Sequence, residues 1–463
     1  MNMHMIDEQK IDSILSDPSL RDISRQRDVI QKSQSDIRLT LEDTATLLQV
    51  TDPEIREEIH AAALRMKEKI YGNRLVFFAP LYLTNRCTNN CTYCAFRRDN
   101  TELVRSTLTQ DEIRKEVELL VAQGHKRLLL VCGEHPKEAS LSYVGESIRT
   151  VYDVMLRGNS IRRVNVNLAP LSMEDFRILK SFGIGTYQCF QETYNRRTYR
   201  FVHPNGRKKD YDWRVTAMDR AIEAGIDDVG IGVLYGLYDY KFETLAMLQH
   251  VFHLEQKFDG VGPHTISIPR LEPALNVPLT SDNSPWIVSD EDFQTLVAIL
   301  RLSVPYTGMI LSTRESARMR RELFKMGISQ ISAGSKTDPG GYLHSIHQSS
   351  EQFQLGDTRP LDEVVRDVVS LGYLPSFCTA CYRSGRTGDR FMELAKSGNI
   401  GKICEPNALA TFEEYLIDFA DEEAKMAGKD FITSEIEKMK NGMRPKTEKM
   451  IREIDEGGRD VFL

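Results

Sequence analysis

From about residue 76 the chain repeats one pattern eight times: a short apolar, often β-branched run, then an amphipathic stretch of helical spacing. The runs lie at 76–83, 127–132, 163–168, 186–190, 228–234, 264–268, 308–311 and 330–333, with helix-like stretches such as 110–123, 141–156, 172–182 and 211–224 between them. Strand and helix in alternation predict parallel strands, because each crossover helix returns the chain to the same end of the sheet. Eight such units predict an α/β fold, a closed (β/α)8 barrel of TIM type, with chemistry at the C-terminal ends of its strands. Residues 1–75 lack β-rich runs; 41–48 and 53–70 have helical spacing, with Thr40 and Asp52 as caps, and predict a helical N-terminal extension. The barrel is expected over 76–374. From 375 to 463 the pattern is again mostly helical and strongly charged toward the end, predicting a helical C-terminal domain.

The 463 residues suffice for a large barrel with additions, and 41% hydrophobic with 27% charged residues is an ordinary soluble composition. A net charge of −7 argues against nucleic acid or an anionic membrane as partner. No apolar run approaches a membrane span. The first residues, MNMHMIDEQKIDSILSD, carry acids where a signal peptide needs a basic start, so a cytoplasmic location is expected.

Six of the 8 cysteines fall in two groups, and in a long chain of this kind such groups read as metal ligands rather than disulfides. Cys87, Cys91 and Cys94 have Cys-x3-Cys-x2-Cys spacing directly after the first strand, with Tyr93 before the third. Thiolates select zinc or iron–sulfur clusters, and a structural zinc wants four protein ligands where this loop has three. A [4Fe-4S] cluster held by three thiolates keeps one iron open, and the pattern resembles the radical S-adenosylmethionine (SAM) enzymes, in which that iron chelates SAM. The second group, Cys378, Cys381 and, after twenty-two residues, Cys404, again has three thiolates and no evident fourth ligand. A zinc site completed by a distant histidine competes with a second cluster there. Cys132 and Cys189 stand alone in apolar runs and read as small buried hydrophobes.

Other candidates stand at strand ends. Gly133-Glu134 ends the second strand, and in radical SAM enzymes a Gly-Glu at this place meets the SAM amino group; glycine permits close approach and a carboxylate suits an ammonium. Asn165 and Asn167 share one face of the third strand and could bond SAM, or form a polar layer inside the barrel. Tyr93 could lie against adenine. Glu192 ends strand four, and Ser312 and Arg314 end strand seven; Arg314 offers a planar fork for a substrate carboxylate, with a structural ion pair as the competing reading. Gly230 and Gly232 lie within a strand and read as barrel packing rather than a nucleotide motif. His264, at the start of strand six, faces the opposite end of the barrel. A domain appended after strand eight would bring the late cysteines to that end, next to His264.

The motifs Cys-x3-Cys-x2-Cys, Ile-Gly-Val-Leu-Tyr-Gly-Leu-Tyr-Asp-Tyr at 231–240, Leu-Ser-Thr-Arg-Glu at 311–315 and Cys-Thr-Ala-Cys-Tyr-Arg at 378–383 run over nearly the whole chain. Together they closely resemble the radical SAM tyrosine lyases of [FeFe]-hydrogenase maturation. The resemblance implies that a cluster on Cys87, Cys91 and Cys94 cleaves SAM, and that the radical formed breaks L-tyrosine into p-cresol and dehydroglycine. It implies a second, auxiliary [4Fe-4S] cluster on Cys378, Cys381 and Cys404, carrying an additional iron held by His264 and a free L-cysteine, where dehydroglycine becomes CO and cyanide. It implies a reductant such as ferredoxin or flavodoxin, and other hydrogenase maturases, as partners. The barrel motifs are shared with the tyrosine lyase of thiamine-thiazole biosynthesis, a 2-iminoacetate synthase, which should not need the late cysteines. A non-enzymatic iron–sulfur scaffold is the third reading.

Overall fold

The computed structural model describes residues 5–35, 37–344, 350–439 and 442–463. Eight parallel strands, β1 (Arg74–Thr84), β2 (Arg127–Cys132), β3 (Arg163–Asn167), β4 (Thr186–Gln188), β5 (Asp228–Gly232), β6 (Thr265–Ser267), β7 (Gly308–Leu311) and β8 (Gln330–Ser332), pair in sequence order. The ring closes where β8 meets β1, with Val76, Phe77 and Phe78 opposite Gln330, Ile331 and Ser332. Alternation along β1 separates two cores. Leu75, Phe77, Ala79, Leu81 and Leu83 face the surrounding helices, whereas Phe78 and Tyr82 join Leu129, Val131 and Ile310 inside the barrel. Gly230 and Gly232 of β5 let neighbouring strands close in: an added Cβ would stand 2.5 Å from Thr265 Oγ1 and 2.7 Å from the Ser267 carbonyl, respectively.

The barrel helices begin at polar caps that follow the loops from the strand tops. The helix Gln110–Ala122 starts with a capping box between Thr109 and Glu112, and Ser140, Ser172, Asp239, Ser289 and Ser316 cap five others. Two helices stop earlier than their apolar periodicity. The helix after β2 ends at Asp153 because Met155–Leu156 pairs back on Asn159–Ser160 in a small hairpin. The stretch 211–224 breaks at Thr216, whose hydroxyl donates to the Asp212 carbonyl at 2.6 Å.

Residues before β1 form the helices Glu8–Leu15, Ile23–Ser33, Leu41–Leu48 and Pro53–Tyr71, capped at the last two by Thr40 and Asp52. They pack on the barrel helices Tyr240–Lys257 and Asp290–Ser303 and share one continuous core with them. A ninth strand, β9 (Leu374–Ser376), adds to the lower end of β1 through Arg74, Leu75 and Val76. It straddles the boundary expected at 374/375 and sews the C-terminal helices onto the bottom of the barrel. Phe377 then stacks on Phe77 of β1 at 5.4 Å and on Tyr415 of the helix Gly401–Phe419 at 4.8 Å. Among the described residues no helix is long and apolar enough to cross a membrane.

Candidate functional site

At the C-terminal end of the strands a cavity of about 210 Å3 opens above the inner core. Its lining includes Cys87, Cys91, Tyr93, Cys94, Gly133, Glu134, Asn167, Glu192, Ser312 and Arg314, so ten candidate residues from five strand ends meet in one place. The cysteine loop is tied into shape by Arg105, whose guanidinium donates to four carbonyls, those of Asn85 at 2.7 Å, Phe96 at 2.8 Å, Arg97 at 2.5 Å and Asn100 at 3.3 Å. Gly133 lets this loop lie against β2: a Cβ there would stand 2.4 Å from the Arg86 carbonyl. The glycine of the Gly-Glu pair therefore serves the loop's approach. Glu134 is locked to the same loop, its carbonyl accepting from Thr88 N at 2.8 Å and its Oε2 from Asn89 Nδ2 at 2.6 Å.

Burial pushes the Cys87 thiol up and the Cys91 and Cys94 thiols up to about 11. As free thiols the three are neutral, and only a strong cation in their midst would draw off the protons, as iron does. Gln352 donates to Cys94 Sγ at 3.5 Å while accepting from Tyr82 OH at 2.8 Å, an oriented donor to a candidate cluster sulfur. Tyr93 is buried beside the trio, its hydroxyl 2.7 Å from His203 Nε2. Among the described residues, no three ligating side chains are drawn in to the separation of ligands on a single ion; a cubane spreads its thiolates over separate irons, so neither trio need be.

Opposite the loop stands a charged group that the strand-end reading found only in part. Glu192 adopts a left-handed φ of 71°, which turns its carboxylate to Lys208 Nζ at 2.7 Å and Arg214 Nη2 at 3.9 Å. Burial raises the Glu192 carboxyl, but the two cations outweigh it and the net shift is downward, so Glu192 stays ionised. Arg214 and Lys208 had no strand-end signal; only the basic run Arg207-Lys208-Lys209 marks the latter. Arg314 lies flat on Phe353, its Cζ 3.3 Å from the ring centroid. The structural ion pair weighed for Arg314 belongs to its neighbour, because Glu315 pairs with Arg270 at 2.5 Å. Gln352 and Phe353 carry no motif and reach the cavity through a segment that folds back after β8.

Two residues fall elsewhere than expected. Asn165 is not among the residues that line the cavity; its Oδ1 accepts from Thr186 N at 3.0 Å, which favours the polar layer inside the barrel over a SAM contact. Cys132, read as a buried hydrophobe, lines the cavity from the end of β2, its thiol pushed up to about 12 by burial. Cys189 is buried in the main core.

The second trio gathers at the opposite end. Cys381 and Cys404 are within hydrogen-bonding reach, and that contact, aided by Arg74, brings the Cys404 thiol down, while burial pushes Cys378 up. Arg127, the first residue of β2, donates to the Cys378 carbonyl at 2.8 Å. His264, just before β6, stands 3.5 Å from Asp228 and 3.4 Å from the hydroxyl of Tyr382, the residue after Cys381. His264 and the late cysteine loop are thus neighbours at the barrel floor.

Residues 81–252 match the model of the radical SAM superfamily, and 267–374 that of the biotin and thiamin synthesis associated domain. The 2-iminoacetate synthase of Salmonella typhimurium is 33% identical over 349 residues, covering 75% of this chain and 89% of that protein. A crystal structure of HydG, a maturase of the [FeFe]-hydrogenase, has a TM-score of 0.95 and 51% identity, covering 99% of this chain and 100% of that one. The FeFe-hydrogenase maturase HydG from Carboxydothermus hydrogenoformans has a TM-score of 0.84 and 42% identity, covering 97% of each chain.

Proposed function

The chain belongs to the HydG family of radical SAM enzymes, and from that membership we infer that it is a tyrosine lyase that serves the assembly of the [FeFe]-hydrogenase active site. It cleaves L-tyrosine to p-cresol and dehydroglycine and converts the latter to the CO and cyanide of an iron–carbonyl–cyanide unit. The observation that carries this is the likeness to HydG over 99% of the chain, at 51% identity, which takes in both cysteine trios.

Cys87, Cys91 and Cys94 would hold a [4Fe-4S] cluster, which with SAM would supply the one-electron radical chemistry of the site. The chain's own residues do the rest. Glu134, fixed on one side by Asn89, offers its other oxygen to the SAM ammonium. Tyr93, Asn167 and Ser312 border the space for adenosine and methionine. Arg314, held flat by Phe353, presents its fork to the tyrosine carboxylate. Glu192, kept ionised by Lys208 and Arg214, orients the amino group from which hydrogen is taken. The apolar wall of Phe78, Phe96 and Ile310 excludes water from the radical.

At the floor, Cys378, Cys381 and Cys404 would hold an auxiliary cluster, and His264 with a free L-cysteine would hold an additional iron. We assign a low-potential carrier such as ferredoxin or flavodoxin as reductant, other hydrogenase maturases as acceptors of the product, and the cytoplasm as the setting. A 2-iminoacetate synthase would stop at dehydroglycine and leave the late trio without a task. Cys378→Ala combined with Cys381→Ala tests the division of labour. SAM cleavage and p-cresol formation should persist while infrared bands of iron-bound CO disappear. Normal CO bands from the double variant would contradict it.

A further inference from the structure

Residues 195–210, after β4, hold six basic side chains against one acid, Asp210, in a chain whose net charge is −7. This segment is bonded directly to the first cysteine loop. Thr92 N donates to the Val202 carbonyl at 3.0 Å and Asn90 N to the Asn205 carbonyl at 3.3 Å, so the residues on both sides of Cys91 are tied to it through their backbones. Lys208 N donates to Asn89 Oδ1 at 2.9 Å. Gly206, at a left-handed φ of 88°, permits the approach: a Cβ there would stand 2.6 Å from Asn89 Cα. Val202 packs with Cys91 and Tyr93 in one apolar cluster.

The other face of the segment meets solvent. The helix Arg196–Val202 buries Tyr199 and Val202 and leaves Arg197, Arg200 and Phe201 exposed along one stripe. In the turn Arg207–Lys209, Lys208 points inward to Glu192 at 2.7 Å, whereas Arg207 and Lys209 are exposed. Arg196 pairs with Asp212, and Asp210 accepts from Trp213 N at 3.0 Å; among the described residues Arg197, Arg200, Arg207 and Lys209 have no carboxylate at ion-pair distance. Phe201 is 71% exposed in their midst. Arg86, exposed on the cysteine loop itself, adds to the positive charge. An aromatic ring set among free arginines has the composition of a protein contact, and the charge selects an acidic partner and speeds its approach. The location gives that partner its task. Reductive cleavage of SAM takes an electron from outside, and electron transfer slows steeply with distance. Phe201 is joined through Val202 and one hydrogen bond to the residue after Cys91.

We propose that Arg197, Arg200, Phe201, Arg207 and Lys209 form the docking surface for an acidic one-electron carrier protein that delivers its electron to the first cysteine trio. The surface deepens the functional reading above and rests on it for the electron's destination. One electron leaves the reduced carrier, which is thereby oxidised, and enters beside Cys91. It is consumed in breaking one sulfur–carbon bond of SAM, which leaves methionine and an adenosyl fragment with the unpaired electron, so one carrier is oxidised per SAM cleaved. None of the five residues lines the upper cavity, so the chemistry inside it does not need them.

The probe is an acidic flavodoxin, and the variant is Arg197→Glu combined with Arg200→Glu in the reconstituted full-length protein. Calorimetric titration of oxidised flavodoxin should show binding weakened by about tenfold or more at low ionic strength, with added salt narrowing the difference. With reduced flavodoxin as sole reductant, release of 5′-deoxyadenosine from SAM should fall in parallel. With dithionite, a small ion that needs no docking surface, it should stay close to the parent's, which also certifies that the variant is folded. Arg207→Glu combined with Lys209→Glu should act likewise, and Phe201→Ser should weaken binding without changing its salt dependence. Arg177→Glu combined with Arg452→Glu, at exposed arginines on other helices, changes the net charge equally and should leave flavodoxin binding as it was. Unchanged flavodoxin binding and unchanged flavodoxin-driven cleavage in both reversed pairs would overturn the surface, and so would equal weakening in the Arg177 and Arg452 pair. Nucleic acid retained by the parent and shed by the variants, at constant flavodoxin kinetics, would overturn it in favour of a polyanion. A parent that cleaves SAM with reduced flavodoxin, in a variant-sensitive way, but forms no p-cresol would remove the tyrosine reading and leave the docking surface standing.

Discussion

Glu192 and Arg314 face each other across the upper cavity, and each is fixed by residues outside any motif. Glu192 keeps its left-handed backbone because the chain is held on both sides. Gln191 N donates to the Gly232 carbonyl at 3.1 Å, and Tyr194 N to Glu243 Oε2 at 2.7 Å. Burial pushes the Glu243 carboxyl from 4.5 up to about 8, against the pull of its bonds from Thr193, Tyr194 and Asn195. Folded protein therefore keeps a proton on Glu243 that unfolded protein loses at 4.5, so its stabilisation is complete below 4.5, falls as pH rises and is gone above about 8. Glu243→Gln, neutral throughout, should gain stability relative to the parent across that window in denaturant melts; parallel curves would contradict the assignment. Arg314→Gln should raise the KM for tyrosine in the p-cresol assay by about tenfold or more, since a charged hydrogen bond to a carboxylate is lost, and Arg314→Lys should restore little of it. An unchanged KM would remove Arg314 from the substrate carboxylate. At this scale the sequence marks residues by their place at strand ends, which is why Glu134, Glu192 and Arg314 were legible. Lys208, Gln352 and Phe353 arrive from loops that fold across the top, where no periodicity reports position.

The eight barrel strands were readable because a strand buried between helices and barrel interior must be a short apolar run, and because helical spacing separates each from the next. β9 was not. It is three residues long and contains Pro375, which sequence reasoning reads as a break. Its place on the lower edge of β1 depends on the aromatic column Phe77–Phe377–Tyr415, whose Phe77–Phe377 contact joins elements far apart in the chain. That column links the loop of Cys378 and Cys381 to the helix that carries Cys404. Phe377→Ala should cost about 3–5 kcal/mol in a denaturant melt, as is usual for a buried phenylalanine. It should also lower iron content per chain while SAM cleavage by the first trio persists. Retention of the full iron complement would show that the column does not set the geometry of the second trio.

For the molecule as a whole, the closed barrel places two cysteine trios at its opposite ends. Alternation of side chains lines the interior between them with apolar Phe78, Leu129 and Ile310, with polar Asn165, and with charged Arg127, Arg163 and Asp228 at the strand starts. Enclosure between the ends suits a chemistry that passes a short-lived, hydrolysable fragment from one site to another. The order of the two cysteine groups along the chain was legible. Their separation to opposite ends followed from strand polarity, whereas the floor layer was hidden because strand starts carry no catalytic signal. The most direct test is an anaerobic reaction of the reconstituted protein with SAM, a low-potential reductant, iron, L-cysteine and isotopically labelled tyrosine, with p-cresol quantified and infrared spectra recorded on the same sample. The expected result is p-cresol together with isotope-shifted bands of iron-bound CO and cyanide. Formation of p-cresol without those bands, under conditions that load both cysteine trios, would contradict the account.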